Sequence, residues 1–171
     1  NESFIISRVG NDKAGRELIE FIKNKGVNTD YVQLDTELQT GEVTVLLDEQ
    51  GSAKYEIEMP RAWDKIEVNQ GLINLVKTSD AFIYGSLITR DEVSKNSLFQ
   101  LIEVAKYTVF DCNLRVPYYT KSTLVKLLKE ADFIKFNDEE LLEVCHYFGK
   151  PTDSMEENIK SVAQHTGAKQ I

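Results

Sequence analysis

The sequence predicts an α/β fold in which a mostly parallel sheet is flanked by helices, and three observations predict it. From about residue 65 onward, short apolar runs alternate with amphipathic segments of about ten to fifteen residues, the rhythm of strand–helix–strand units. Ahead of that region, residues 12–25 carry a helical apolar pattern. Between the two lies a β-rich stretch with hairpin spacing.

Taken in order, the first element is a helix from about Asp12 to Lys25. Leu18, Ile19, Phe21 and Ile22 share one face at helical spacing, and Gly26 supplies the stop. Tyr31–Leu34 and Glu42–Leu47 read as strands. Asp48-Glu-Gln-Gly51 turns the second of these into Ala53–Ile57, so those two runs are expected to be antiparallel. Next come a helix around Val68–Lys77 and the strand Ala81–Tyr84, then a helix at about Glu92–Lys106 and the strand Thr108–Asp111. A helix at about Lys121–Glu130 precedes the strand Asp132–Phe136. Helices at Asp138–Tyr147 and about Ser154–His165 lead to a last β start at Lys169–Ile171. No internal repeat and no Pro-, Gly- or Ser-rich linker divides the 171 residues, which read as one domain.

Composition narrows the function classes. The formal net charge of -8 is spread along the chain and argues against non-specific nucleic-acid or acidic-membrane binding, which needs a basic surface. No apolar stretch approaches the roughly 20 residues that cross a bilayer. The first residues lack a basic segment followed by an apolar run, so no signal peptide is visible. Cys112 and Cys145 form neither a metal spacing nor a disulfide framework and read as buried thiols, which points to a reducing, cytoplasmic setting.

In parallel α/β sheets, ligands bind just beyond the carboxyl ends of the strands. Three polar segments fall there: Gly85-Ser86, Asp111-Cys-Asn113-Leu-Arg115 and Asn137-Asp-Glu-Glu140. All three are expected on one rim, and each has a plain structural alternative. Asn137 and Glu140 match a helix-capping pair; the same oxygens would also suit phosphate and a water-retaining Mg²⁺ at a helix N-terminus. Asp111 and Arg115 pair with each other or cap the loop ending at Pro117, or Arg115 offers its fixed fork of donors to hydroxyls or a moving phosphoryl group. Gly85-Ser86 is a tight turn or a ligand contact. His146 and His165 have no second ligand at useful spacing. Trp63 and Tyr55 read as core or interface residues.

The segments together resemble the PfkB-type (ribokinase/fructokinase) carbohydrate kinase family. The resemblance rests on Ser7-Arg-Val-Gly-Asn-Asp12 with Gly15 and Gly26-Val27, Thr40-Gly41, and Ala62-Trp63-Asp64. It continues with Phe82-Ile-Tyr-Gly-Ser-Leu87 and Arg90, with Asp111-Cys-Asn-Leu-Arg115 before Pro117, and with Lys135-Phe-Asn-Asp-Glu-Glu140, all in the family's order. The Asp-x-Asn-Leu-Arg and Ala-Trp-Asp segments look nearest to fructokinase-like members.

The resemblance implies a partial ribokinase-like domain over residues 1–171, with lid-proximal strands at about 31–60. It implies transfer of a phosphoryl group from ATP to a sugar hydroxyl. Arg115, Asn113 and Asp111 would face the substrate, while Asn137, Glu140 and Lys135 would serve phosphate and Mg²⁺, Glu140 acting on the metal through water. The family's Gly-Gly sugar segment and its Gly-Ala-Gly-Asp segment, which carries the Asp base, do not occur in residues 1–171. The chain alone is therefore expected to show no kinase turnover, and sugar-dependent ADP release by it would refute this. It is also expected to fold marginally or self-associate.

One further reading stands beside the enzyme, a non-catalytic sugar-binding or self-association module that homodimerises through the lid strands. A dinucleotide-binding dehydrogenase fares badly, because no Gly-x-Gly-x-x-Gly follows a predicted strand.

Overall fold

A computed structural model describes residues 2–47 and 53–171. The chain forms two compact units, Asn1–Glu67 and Val68–Ile171.

In the first unit, β1 (Ser7–Gly10) pairs in parallel with β2 (Val32–Asp35), linked by α1 (Lys13–Asn24). Asp12 starts α1 by accepting the Gly15 N–H at 2.7 Å, and Gly26 ends it at φ +79, a left-handed conformation that glycine tolerates. The expected apolar face needs correction, since Leu18 and Phe21 are 40% and 59% exposed. The line that packs is Gly15–Ile19–Ile22, at i, i+4 and i+7, with Leu18 and Phe21 flanking it. An added Cβ at Gly15 would lie 2.3 Å from the Gly10 carbonyl oxygen, so the helix start and β1 touch backbone to backbone.

Strand β1 has no counterpart in the sequence reading, because Ser-Arg-Val-Gly is short and mixed. Its register is held instead by Arg8, whose Nε donates to Asp35 at 2.8 Å and whose terminal nitrogen donates to the Lys65 carbonyl at 2.9 Å. The antiparallel ribbon β3 (Val43–Leu47) and β4 (Ala53–Ile57) forms as expected. The turn read at Asp48–Gly51 lies outside the described residues. Trp63 packs against Gly41, where an added Cβ would sit 2.4 Å from the indole.

The second unit is built on three parallel strands in the order β5 (Phe82–Gly85), β6 (Thr108–Asp111) and β7 (Phe133–Lys135). The helices α2 (Gln70–Thr78), α3 (Glu92–Ile102), α4 (Lys121–Lys129), α5 (Asp138–Phe148) and α6 (Met155–Thr166) alternate with them or follow. Helix α3 stops four residues before the expected Lys106. Its last turn tightens to i→i+3 bonds, Val104 N–H to Leu101 at 3.3 Å and Ala105 N–H to Ile102 at 3.2 Å, which end the α register. The expected β start at the chain's last residues is a single parallel bridge, Phe133 to Gln170.

Phe110, Leu124, Leu127, Leu128, Ile134, Val144 and Val162 are fully buried. Each such side chain contributes about 1.5–3 kcal/mol by leaving water. The central strand β6 is paired along both edges, with β5 and β7, and anchored by the buried Phe110, so the carboxyl end from which its loop departs is a fixed platform.

Candidate functional site

The carboxyl rim of β5–β6–β7 collects the polar segments within the second unit. At the end of β5, Ser86 is buried and opens a one-turn 3-10 helix, Leu87–Arg90. The Ser86 carbonyl accepts the Thr89 hydroxyl at 2.7 Å, and its own hydroxyl donates to the Asn113 carbonyl at 3.4 Å. Asn113, just past β6, adopts φ 38, a left-handed value that asparagine tolerates better than most residues. The chain thereby turns sharply after Cys112. That cysteine is fully buried, which pushes its thiol far above the usual range and leaves it an inert packing group.

The rim is stitched across strands by charge. Lys135, at the end of β7, places Nζ 2.9 Å from Asp111 Oδ1, at the end of β6. This contact raises the lysine's affinity for its proton, chiefly through the hydrogen bond to Asp111. Both side chains are exposed enough that water screens the pair.

Helix α5 begins with a reciprocal cap. Asn137 Oδ1 accepts the Glu140 N–H at 2.9 Å, and Glu140 Oε2 accepts the Asn137 N–H at 3.0 Å. Glu140 is only 8% exposed, and its other oxygen, Oε1, accepts the Leu114 N–H at 2.7 Å. One carboxylate thus ties the loop after β6 to the first turn of α5.

Asp111, Asn113, Lys135, Asn137 and Glu140 are brought together in this way. Arg115 follows one residue after the anchored Leu114, and its guanidinium donates to the Leu114 carbonyl at 2.7 Å. Tyr119 and Glu143, which sequence reasoning missed, are joined at the far end of the same loop, where the Tyr119 hydroxyl donates to Glu143. The i, i+3 spacing of Glu140 and Glu143 was their one legible signal.

The donor set is all oxygen: Glu140 held rigid, with Asp138 and Glu139 in the first turn of α5. Among the described residues no cluster of three or more His, Cys, Asp or Glu side chains could cage a bare ion. The carboxylate oxygens of this turn are the donor type that suits Mg²⁺, which keeps several waters and takes further ligands from phosphates. The N-terminus of α5 adds the positive end of a helix dipole, suited to an anion.

Comparison with known proteins agrees with this architecture. The profile described as pfkB family carbohydrate kinase matches residues 1–171. A fructokinase of Vibrio alginolyticus is 29% identical over 171 residues, covering 95% of this chain and 54% of that protein. The solved sugar kinase of Pyrococcus horikoshii in complex with ATP superposes with a TM-score of 0.77 at 26% identity, covering 91% of this chain and 54% of that one. A Vibrio cholerae fructokinase solved with fructose, ADP and calcium ion gives a TM-score of 0.75 at 25% identity, covering 96% and 55%. The chain spans about half the length of the curated relatives it matches.

Proposed function

The chain belongs to the pfkB family of carbohydrate kinases, and from that premise we propose that the whole protein phosphorylates a sugar hydroxyl from ATP, as a fructokinase-type enzyme. The observation that carries this reading is the union of Asp111, Asn113, Lys135, Asn137 and Glu140 on one rim through the Glu140–Leu114 and Lys135–Asp111 contacts. The fructose-, ADP- and ATP-bound relatives support the substrate and the nucleotide.

Phosphoryl transfer depends on positioning and on charge placed where it develops. Arg115 directs a fixed cation at the sugar or the phosphoryl group, and Asn113 and Asp111 shape the same loop toward the sugar. Lys135 brings positive charge, and Asn137 caps and orders the start of α5, where the positive end of the helix dipole would meet phosphate oxygens. Glu140 orients the metal's waters while holding the loop. Bound Mg²⁺ supplies positive charge to the nucleotide's phosphates.

By the family resemblance, the proton of the sugar hydroxyl would go to the Asp of a Gly-Ala-Gly-Asp segment, which does not occur in residues 1–171. Within the rim, Glu140 already accepts main-chain N–H groups on both oxygens, and Asp111 is paired with an ammonium. A cytoplasmic setting belongs to the same reading, supported by the two buried free thiols.

The β3–β4 ribbon favours homodimerisation beside catalysis. Every residue of β3 is exposed, including Val43, Val45, Leu46 and Leu47, and its cross-strand neighbour Tyr55 is exposed too. An open apolar ribbon invites pairing with a second copy.

The kinase reading is tested by coupled ADP release from the whole protein with fructose, ribose and ketodeoxygluconate. Fructose-dependent turnover that exceeds the other two is expected. Absence of turnover with every sugar overturns it.

A further inference from the structure

Two carboxylates one turn apart on α5 hold the two ends of a single loop. Glu140 Oε1 accepts the Leu114 N–H at 2.7 Å. Glu143 Oε1 accepts the hydroxyl of Tyr119, and the same oxygen accepts the hydroxyl of Tyr147 at 3.1 Å. Residues 140, 143 and 147 stand at i, i+3 and i+7, so they share one helix face. Tyr147 thus fixes the Glu143 carboxylate, and Glu143 fixes Tyr119. Both tyrosine rings also pack against the hydrophobic core.

Arg115 lies between the two anchors. Within the loop the Tyr118 N–H donates to the Arg115 carbonyl at 2.9 Å, and Pro117 restricts the backbone further. The Arg90 guanidinium lies over the Tyr118 ring, 5.3 Å from its centroid, so the loop is also held from the β5 side. With so few residues between fixed points, the far anchor decides how far Arg115 can swing.

We propose that Glu143 is a positioning residue for phosphoryl transfer: through the Tyr119 hydroxyl it holds the loop that presents Arg115, and Tyr147 holds Glu143 in turn. This rests on the reading of Arg115 as the cation facing sugar or phosphoryl group. A loop ordered in advance loses no time or entropy in finding the productive place, and a displacement of about 1 Å costs on the order of a hundredfold in such reactions.

The test uses the whole protein, with kcat and KM measured for sugar and ATP in Y119F, E143A, E143Q, R115A and the double variant E143A/R115A. Y119F removes one hydroxyl and keeps the ring in the core, so it folds even where E143A does not. Expected are losses of about tenfold in kcat for Y119F and E143A, with KM for ATP within about twofold. E143Q keeps an acceptor oxygen and stays within about threefold of wild type. The double variant is no slower than R115A, because both changes remove one function.

Wild-type kcat in Y119F with R115A impaired, or losses that multiply in the double variant, overturns the positioning role and leaves the kinase reading intact. Wild-type kcat in R115A overturns the assignment of Arg115 itself, and this proposal with it.

Discussion

The Leu114 N–H and Glu140 Oε1 stand 2.7 Å apart, across 26 residues of sequence. The same carboxylate accepts the Asn137 N–H through its other oxygen at 3.0 Å. Glu140 is therefore a strut before it is anything else. It fixes the loop after β6 to the helix that would face the phosphates, so any ligand role it has is exercised from a rigid position.

Removing that strut leaves two main-chain donors without their acceptor. A buried, unsatisfied donor costs about 1–3 kcal/mol, and these two are partly buried, so water recovers part of that cost. Glu140→Ala is expected to lose about 1–2 kcal/mol in urea unfolding, and Glu140→Gln, which keeps one acceptor oxygen, less. Equal midpoints for E140A and the parent would refute the role.

Close backbone contact in the first unit gives a second prediction. A Cβ at Gly15 would lie 2.3 Å from the Gly10 carbonyl oxygen and 2.8 Å from Thr40 Oγ1. Helix propensity alone favours alanine there by up to about 1 kcal/mol. The clash requires backbone movement, which typically costs about 1–3 kcal/mol. Gly15→Ala is therefore expected to lower the thermal midpoint followed by circular dichroism, against its propensity.

Acid should weaken the first unit through two carboxylates. Asp12 is held below its ordinary 3.8 mainly by the Thr40 N–H, then by the Gly15 N–H and the Thr40 hydroxyl. Asp35 is held below the same value, mainly by the Leu38 N–H, then by the Glu37 N–H and Arg8. A depressed carboxyl stabilises the fold above its unfolded value and loses that contribution as pH falls through its folded value. The urea midpoint is expected to hold steady down to about pH 4 and fall below it, with a smaller fall in Asp35→Asn.

The exposed ribbon predicts concentration-dependent association. Val45 and Tyr55 face each other in register, and both are exposed. Val45→Lys places charge where a second copy would pack, and edge charge discourages pairing. Sedimentation velocity of V45K is expected to show a monomer where the parent shows a concentration-dependent dimer.

Much of the second unit was legible because short apolar runs alternate with helical patterns there, and the residues of those runs that face the core, Tyr84, Phe110 and Ile134, are buried while Ile83 is 68% exposed. Thr108–Asp111 was read to the residue, since an apolar run between two helical patterns has one interpretation. The cap of Asn137 and Glu140 was legible too, being a local spacing. What escaped was set by contacts distant in sequence. Strand β1 is specified by Arg8 reaching Asp35 and Lys65, and no window of residues shows that. The second duty of Glu140 and the bond from Tyr119 to Glu143 are of the same kind: each needs a loop brought back over α5 by the fold.

The most direct measurement is sugar-dependent ADP release by Arg115→Ala in the whole protein. Loss of a fixed charge aimed at transferring phosphoryl oxygens typically costs about 10²–10³ in turnover. The account predicts a fall of about a hundredfold or more in kcat/KM for fructose, with the thermal midpoint unchanged. Wild-type turnover in a folded R115A protein would contradict it.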